Sequence, residues 1–227
     1  MLSWVRRALW DVVPRDHRDS PAALRRRQLV TATFVVVGGV VLGFSLRIEP
    51  GSAWFYPATL ALAGVWVAGA FASGPLHLGR VDTRNGLRRP VVLPVVVGLG
   101  LGAVFVVGAL VVRQVDFLHD QVRDVVDHAD RGSLPLVALV TLVNGVAEEL
   151  FFRGAAFAAI PRHPVAWTTL AYAIATLATG NLTLVLAAAL LGVVVGLERR
   201  ATGGVLAPML THCTWSMVML FALPALF

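Results

Sequence analysis

Lysine is absent from this chain, and cysteine occurs once, at Cys213. A lone cysteine can close no internal disulfide and supplies no thiolate cluster for a metal, so Cys213 reads as a small packing residue. Charge is scarce too: 14% of the 227 residues are charged, against 57% that are hydrophobic. A soluble domain could not hide that much apolar surface in one core, so the solvent this composition calls for is the lipid bilayer. A sequence pI near 11.1 raises nucleic-acid binding. The 19 arginines argue against it, because they stand between apolar runs with no interleaved aromatics on which bases could stack. Arginine to the exclusion of lysine points to a GC-rich, bacterial source.

A spanning helix needs about 20 mostly apolar residues. The candidate runs are Leu29 to Leu46, Ala53 to Ala72, Pro90 to Val112, Leu134 to Phe152, Val165 to Thr179, Leu182 to Leu197 and Val205 to Leu223. The expected fold is all-α, a polytopic transmembrane helical bundle of about seven spans. The first run is not followed by a small-residue cleavage site, so it reads as a retained span and not as a signal peptide.

Arginines gather in every second connection. Arg6, Arg7, Arg15, Arg18, Arg25, Arg26 and Arg27 precede the first run; Arg80, Arg84, Arg88 and Arg89 follow the second; Arg153 and Arg162 follow the fourth; Arg199 and Arg200 follow the sixth. Positive charge marks short cytoplasmic loops. The expectation is a multi-pass protein of the bacterial inner (plasma) membrane with a cytoplasmic amino terminus. Residues 1–28 read as a basic cytosolic tail, 29–112 as three transmembrane helices, 113–133 as an acidic extracytoplasmic loop, and 134–227 as the core that carries the polar residues.

In that loop Leu118, Val122, Val125, Val126 and Ala129 share one helical stripe, away from Asp116, Asp120, Arg123, Asp124 and Asp127. This predicts a short amphipathic helix on the outer surface. His119 and His128 lie among these aspartates at a spacing unlike a helical i, i+4 metal pair, so a solvated face is expected. Gly39 with Gly43, Gly98 with Gly102, and Gly192 with Gly196 predict close helix packing in lipid.

The fourth run ends Asn144-Gly-Val-Ala-Glu148-Glu149-Leu-Phe-Phe-Arg153-Gly154. Paired carboxylates at a membrane helix end are costly, which makes function the default reading; a charge cluster solvated by headgroups is the alternative. Glu149 and Arg153 are i, i+4 and can pair. Glu148 points about 100° away and is left for chemistry as a general base. Asn144, one turn earlier, would either orient Glu148 or make a packing hydrogen bond.

Glu148-Glu149-x-x-x-Arg153 resembles the first motif of the CPBP family of intramembrane proteases, which includes type II CAAX prenyl endopeptidases and bacteriocin-processing proteins. The likeness continues through Leu191-Gly192, Glu198-Arg199-Arg200 and Ala207-Pro208-Met-Leu-Thr-His212, and covers Leu134 to Leu223. It implies that Glu148 activates water for peptide hydrolysis, that Glu149 and Arg153 support it, and that His212 is a polarising or metal-binding imidazole. Ser216 stands where the family most often has Asn and would offer an oxyanion a weaker hydrogen bond. The family's second motif, Phe-x-x-x-His, is replaced here by Tyr172-Ala-Ile-Ala-Thr176. With His212 as the single imidazole, a divalent metal such as zinc would have a thin ligand set, and Tyr172 or Thr176 would position the water instead.

The expected activity is an intramembrane endopeptidase acting on a membrane-associated peptide or membrane-protein substrate. The expected partners are membrane lipid and that substrate, with no nucleic acid. The rival reading is a catalytically silent relative acting in partner binding, immunity or scaffolding. A proton-coupled transporter is a third reading, disfavoured by the lack of inverted repeats.

Overall fold

A computed structural model describes residues 3–14, 19–45, 47–49, 51–83 and 86–227; Arg15, Arg18, Leu46 and Arg84 from the readings above lie outside the described residues. In chain order the elements are α1 (Ser3–Leu9), α2 (Pro21–Ser45), α3 (Phe55–Ser73), a hairpin of β1 (Val81–Thr83) and β2 (Gly86–Arg88), α4 (Val92–Val112), α5 (Asp116–Asp130) and α6 (Leu134–Glu149). Then follow a π-helical stretch Leu150–Ala156, the short α7 (Phe157–Ala159), α8 (Pro164–Leu177), α9 (Leu182–Thr202), α10 (Leu206–Ala222) and a 3-10 turn Leu223–Ala225. The chain is a multi-pass helical membrane bundle.

Among the described residues six helices are long and apolar enough to cross a membrane: Pro21–Ser45, Phe55–Ser73, Val92–Val112, Leu134–Ala159, Leu182–Thr202 and Leu206–Ala225. The fifth expected span is shorter than the rest. α8 has 14 residues, about 21 Å at the α-helical rise against a hydrocarbon core of about 30 Å. Pro164 opens it after His163 in the left-handed conformation (φ 51°), and a turn at Gly180 (φ 75°) follows it. Its packing is tight on two sides. A Cβ at Gly43 of α2 would stand 2.7 Å from the Ala178 carbonyl oxygen just after α8, and one at Gly192 or Gly196 of α9 would meet Thr169 or Val165 at 3.0 Å. Two of the glycine pairs thus seat this short helix, while Gly98 and Gly102 let α4 approach α10 at Thr214 and Val218.

The core lies among α2, α3, α6 and α8, where Trp66 packs on Phe151 and Phe152, and Phe152 on Tyr172. Gly38 leaves the space that the Trp66 ring fills.

The amino-terminal segment is more than a basic flank. α1 packs on α9, Ala8 and Val13 are buried, and the Val13 amide donates to Ala201. Several arginines counted as loop charge are internal. Arg27 is buried and bonds Asp19, Ser73 and the Pro75 carbonyl, tying α2 to the end of α3. Arg153 and Arg199 are buried as well.

At the opposite end α5 forms the amphipathic helix, with Val126 buried and Asp116, Asp120 and Asp124 exposed. Its Gln121 side chain accepts from the Leu182 and Thr183 amides, and Asn181 accepts from Leu184, so α5 helps cap α9. Both His128 nitrogens face carbonyl oxygens, of Asp124 and Ile48, while His119 lies beside Asp120 and the Phe227 ring. The two histidines form no metal pair.

Candidate active site

Glu148 and Glu149 close α6, and the chain widens at once into the π-helical turn Leu150–Ala156 that carries Arg153 and Gly154. Such turns are rare and recur at functional sites. Arg153 Nη1 donates to Glu149 Oε1 at 3.1 Å, with both side chains fully buried. His212 Nδ1 lies 2.9 Å from that same oxygen. The carboxylate only accepts, so Nδ1 carries the hydrogen and, in the neutral ring, Nε2 is the free base. The Arg153 guanidinium also lies over the Tyr172 ring, 5.0 Å from its centroid.

Glu148 is not left without a partner. The Tyr172 hydroxyl donates to its Oε2 at 2.5 Å, and His212, Glu149 and Arg153 all act on it electrostatically. Unlike fully buried Glu149, Glu148 keeps partial exposure. Four helical segments therefore supply one cluster: Glu148, Glu149 and Arg153 from α6 and its π-helical turn, Tyr172 from α8 and His212 from α10.

Two expected contributors bond elsewhere, and a third stands apart from the glutamates. Asn144 Nδ2 donates to the Val140 carbonyl of its own helix and does not orient Glu148. Thr176 donates back to the Tyr172 carbonyl. Ser216 is buried one turn beyond His212 and hydrogen-bonds neither glutamate. His163, in the loop before α8, is exposed. The donors do not suit a tightly held zinc: among the described residues no three His, Cys, Asp or Glu side chains are grouped to hold a metal ion, and His212 Nδ1 is engaged by Glu149.

Glu198 and Thr211 stand within the stretches that carry the likeness, but sequence reasoning assigns them no role. Glu198 sits in the last turns of α9, 1% exposed, and the Thr211 hydroxyl, next to His212, lies 2.9 Å from its Oε1 and 2.9 Å from the Pro94 carbonyl oxygen. The apolar run that marks the sixth span ends at Leu197, one residue before Glu198. The available signal was a carboxylate within helical reach of an apolar run.

A membrane bundle that buries an acid, a base and an arginine together beside a partly exposed carboxylate defines a polytopic protein with an intramembrane acid–imidazole site. Residues 130–218 match the type II CAAX prenyl endopeptidase Rce1-like family. The matched segment, less than half of the chain, is similar to the CAAX-type intramembrane endopeptidases, in keeping with the CPBP likeness of its motifs, and it contains every side chain of the cluster. No curated protein and no solved structure matches the chain.

Proposed function

We propose that the protein hydrolyses a peptide bond in a membrane-associated substrate, with Glu148 as the base that activates water. The observation carrying this reading is the division of labour between the two adjacent carboxylates. Glu149 is consumed by Arg153 and His212, whereas Glu148 has one oxygen held by Tyr172 and keeps partial exposure. Glu148 Oε1 is then free to accept a proton from water as the water oxygen adds to the scissile carbonyl carbon. Tyr172 fixes the carboxyl in place. His212, oriented by Glu149 as a carboxylate orients a catalytic imidazole, presents Nε2 to the reacting centre, where it accepts or returns a proton. The proton taken from water goes finally to the leaving amine, and the C–N bond breaks. The low-dielectric bundle strengthens each of these interactions.

The reading extends to a bacterial plasma membrane with a cytoplasmic amino terminus, which puts the cluster nearer the arginine-rich, cytoplasmic end. Cleavage of a peptide library by the purified protein in liposomes, abolished by Glu148→Gln, is the test; equal cleavage by that variant removes Glu148 from the mechanism. A silent partner-binding protein is the second reading, favoured by Thr176, whose hydroxyl is spent on its own helix where the family has a histidine. In that case Glu148→Gln leaves partner capture and cellular phenotype intact.

A further inference from the structure

Thr211 carries a single hydroxyl hydrogen, yet its oxygen stands at 2.9 Å from two oxygens, the Pro94 carbonyl and Glu198 Oε1. A backbone carbonyl can only accept, so the Thr211 hydrogen serves Pro94. The contact with Glu198 is then a second, well-formed hydrogen bond only if the hydrogen comes from the carboxyl group. The surroundings agree: Glu198 is 1% exposed, and its Oε2 makes no hydrogen bond among the described residues. An unpartnered carboxylate oxygen in a membrane interior is far costlier than an unpartnered carbonyl oxygen.

We propose that Glu198 is held as a neutral carboxylic acid, donating to Thr211, and that the chain Glu198–Thr211–Pro94 sets the turn of α10 from which His212 reaches Glu149. The chain joins α9, α10 and α4 where α4 and α10 pack closely, a Cβ at Gly98 standing 2.7 Å from the Thr211 carbonyl oxygen. Rotation or sliding of α10 is therefore blocked by packing on one side and by this hydrogen-bonded link on the other. His212 is the next residue, so its ring inherits that restraint. Glu198 is a positioning residue: it touches no reacting atom. Its protonation stands on hydrogen-bond stoichiometry alone, whereas its effect on turnover rests on the peptidase reading above.

Two measurements test this separately. In liposomes at neutral pH, the infrared difference spectrum between the wild type and Glu198→Gln should show a protonated-carboxyl carbonyl stretch that the variant lacks. Matching spectra in that region overturn the assignment, whether or not any peptide is cleaved. In the peptide assay, Glu198→Gln should keep turnover because its amide N–H replaces the O–H. Glu198→Asp, too short to reach Thr211, should lose about 10- to 100-fold in kcat with KM unchanged. A Gln variant as impaired as the Asp variant, or an Asp variant as active as the wild type, overturns the positioning role. A wild type that cleaves nothing sinks the peptidase reading and leaves the infrared result standing.

Discussion

Glu149 Oε1 is shared by two donors from different helices, the Arg153 guanidinium at 3.1 Å and the His212 imidazole at 2.9 Å. The pair expected to support Glu148 also holds a residue more than sixty positions away. Glu149→Gln should therefore impair His212 before it impairs folding. Losing a hydrogen bond to a charged group of about 1.5–3 kcal/mol corresponds to roughly 10- to 100-fold in kcat. Peptide kinetics beside thermal unfolding in detergent will tell the two apart; a variant that unfolds early yet turns over normally refutes this role.

Arg153→Met should be the more damaging change to the fold. It leaves the Glu149 carboxylate fully buried with its strongest partner gone, a loss of about 3–5 kcal/mol for a broken buried pair. A midpoint in thermal unfolding unchanged from wild type would mean that the pair is not closed in the bilayer.

Tyr172→Phe removes only the hydroxyl that holds Glu148 Oε2. The expected outcome is a drop in kcat of about 10-fold or more with little change in unfolding temperature, since the ring still packs on Phe152. Full activity in Tyr172→Phe would show that Glu148 needs no such anchor.

Gly204 and Gly79 touch backbone to backbone where the segment after α3 crosses the α9–α10 turn, and a Cβ at Gly204 would stand 2.0 Å from the Gly79 nitrogen. The crossing is hydrogen-bonded by Arg80 to Thr202, Val205 to His77 and Leu206 to Leu78. Gly204→Ala should force it open and raise amide exchange at residues 205 and 206. Gly64→Ala, with nothing within 4 Å of the new methyl, is the matched control and should leave exchange unchanged. Equal exchange in both variants would show that the crossing tolerates a side chain.

The sequence revealed the apolar runs, the amphipathic α5 and the Glu149–Arg153 spacing because each depends on local periodicity alone. The length of α8 was harder to read: its apolar stretch continues past the helix into Ala178 and Thr179, and only the Gly180 turn decides where the helix stops. Arg27 was counted as topological charge because composition cannot show that a guanidinium turns inward to Asp19 and Pro75. The tie from Tyr172 to Glu148 joins residues 24 positions apart. It depends on how α8 is seated between two glycine-bearing helices, which no single-segment pattern contains.

The wide turn at Leu150–Ala156 has a genetic consequence. A π-helical turn amounts to one extra residue accommodated within an α-helix. Deleting a single codon there would remove that extra residue, return the stretch to ordinary α pitch and leave the downstream helix facing nearly as before. A chain shortened between Glu149 and Arg153 would stay helical and membrane-inserted, with the pair moved from i, i+4 to i, i+3 spacing, still on one helix face. At this one place the chain can change length by a residue and keep the direction its helix faces.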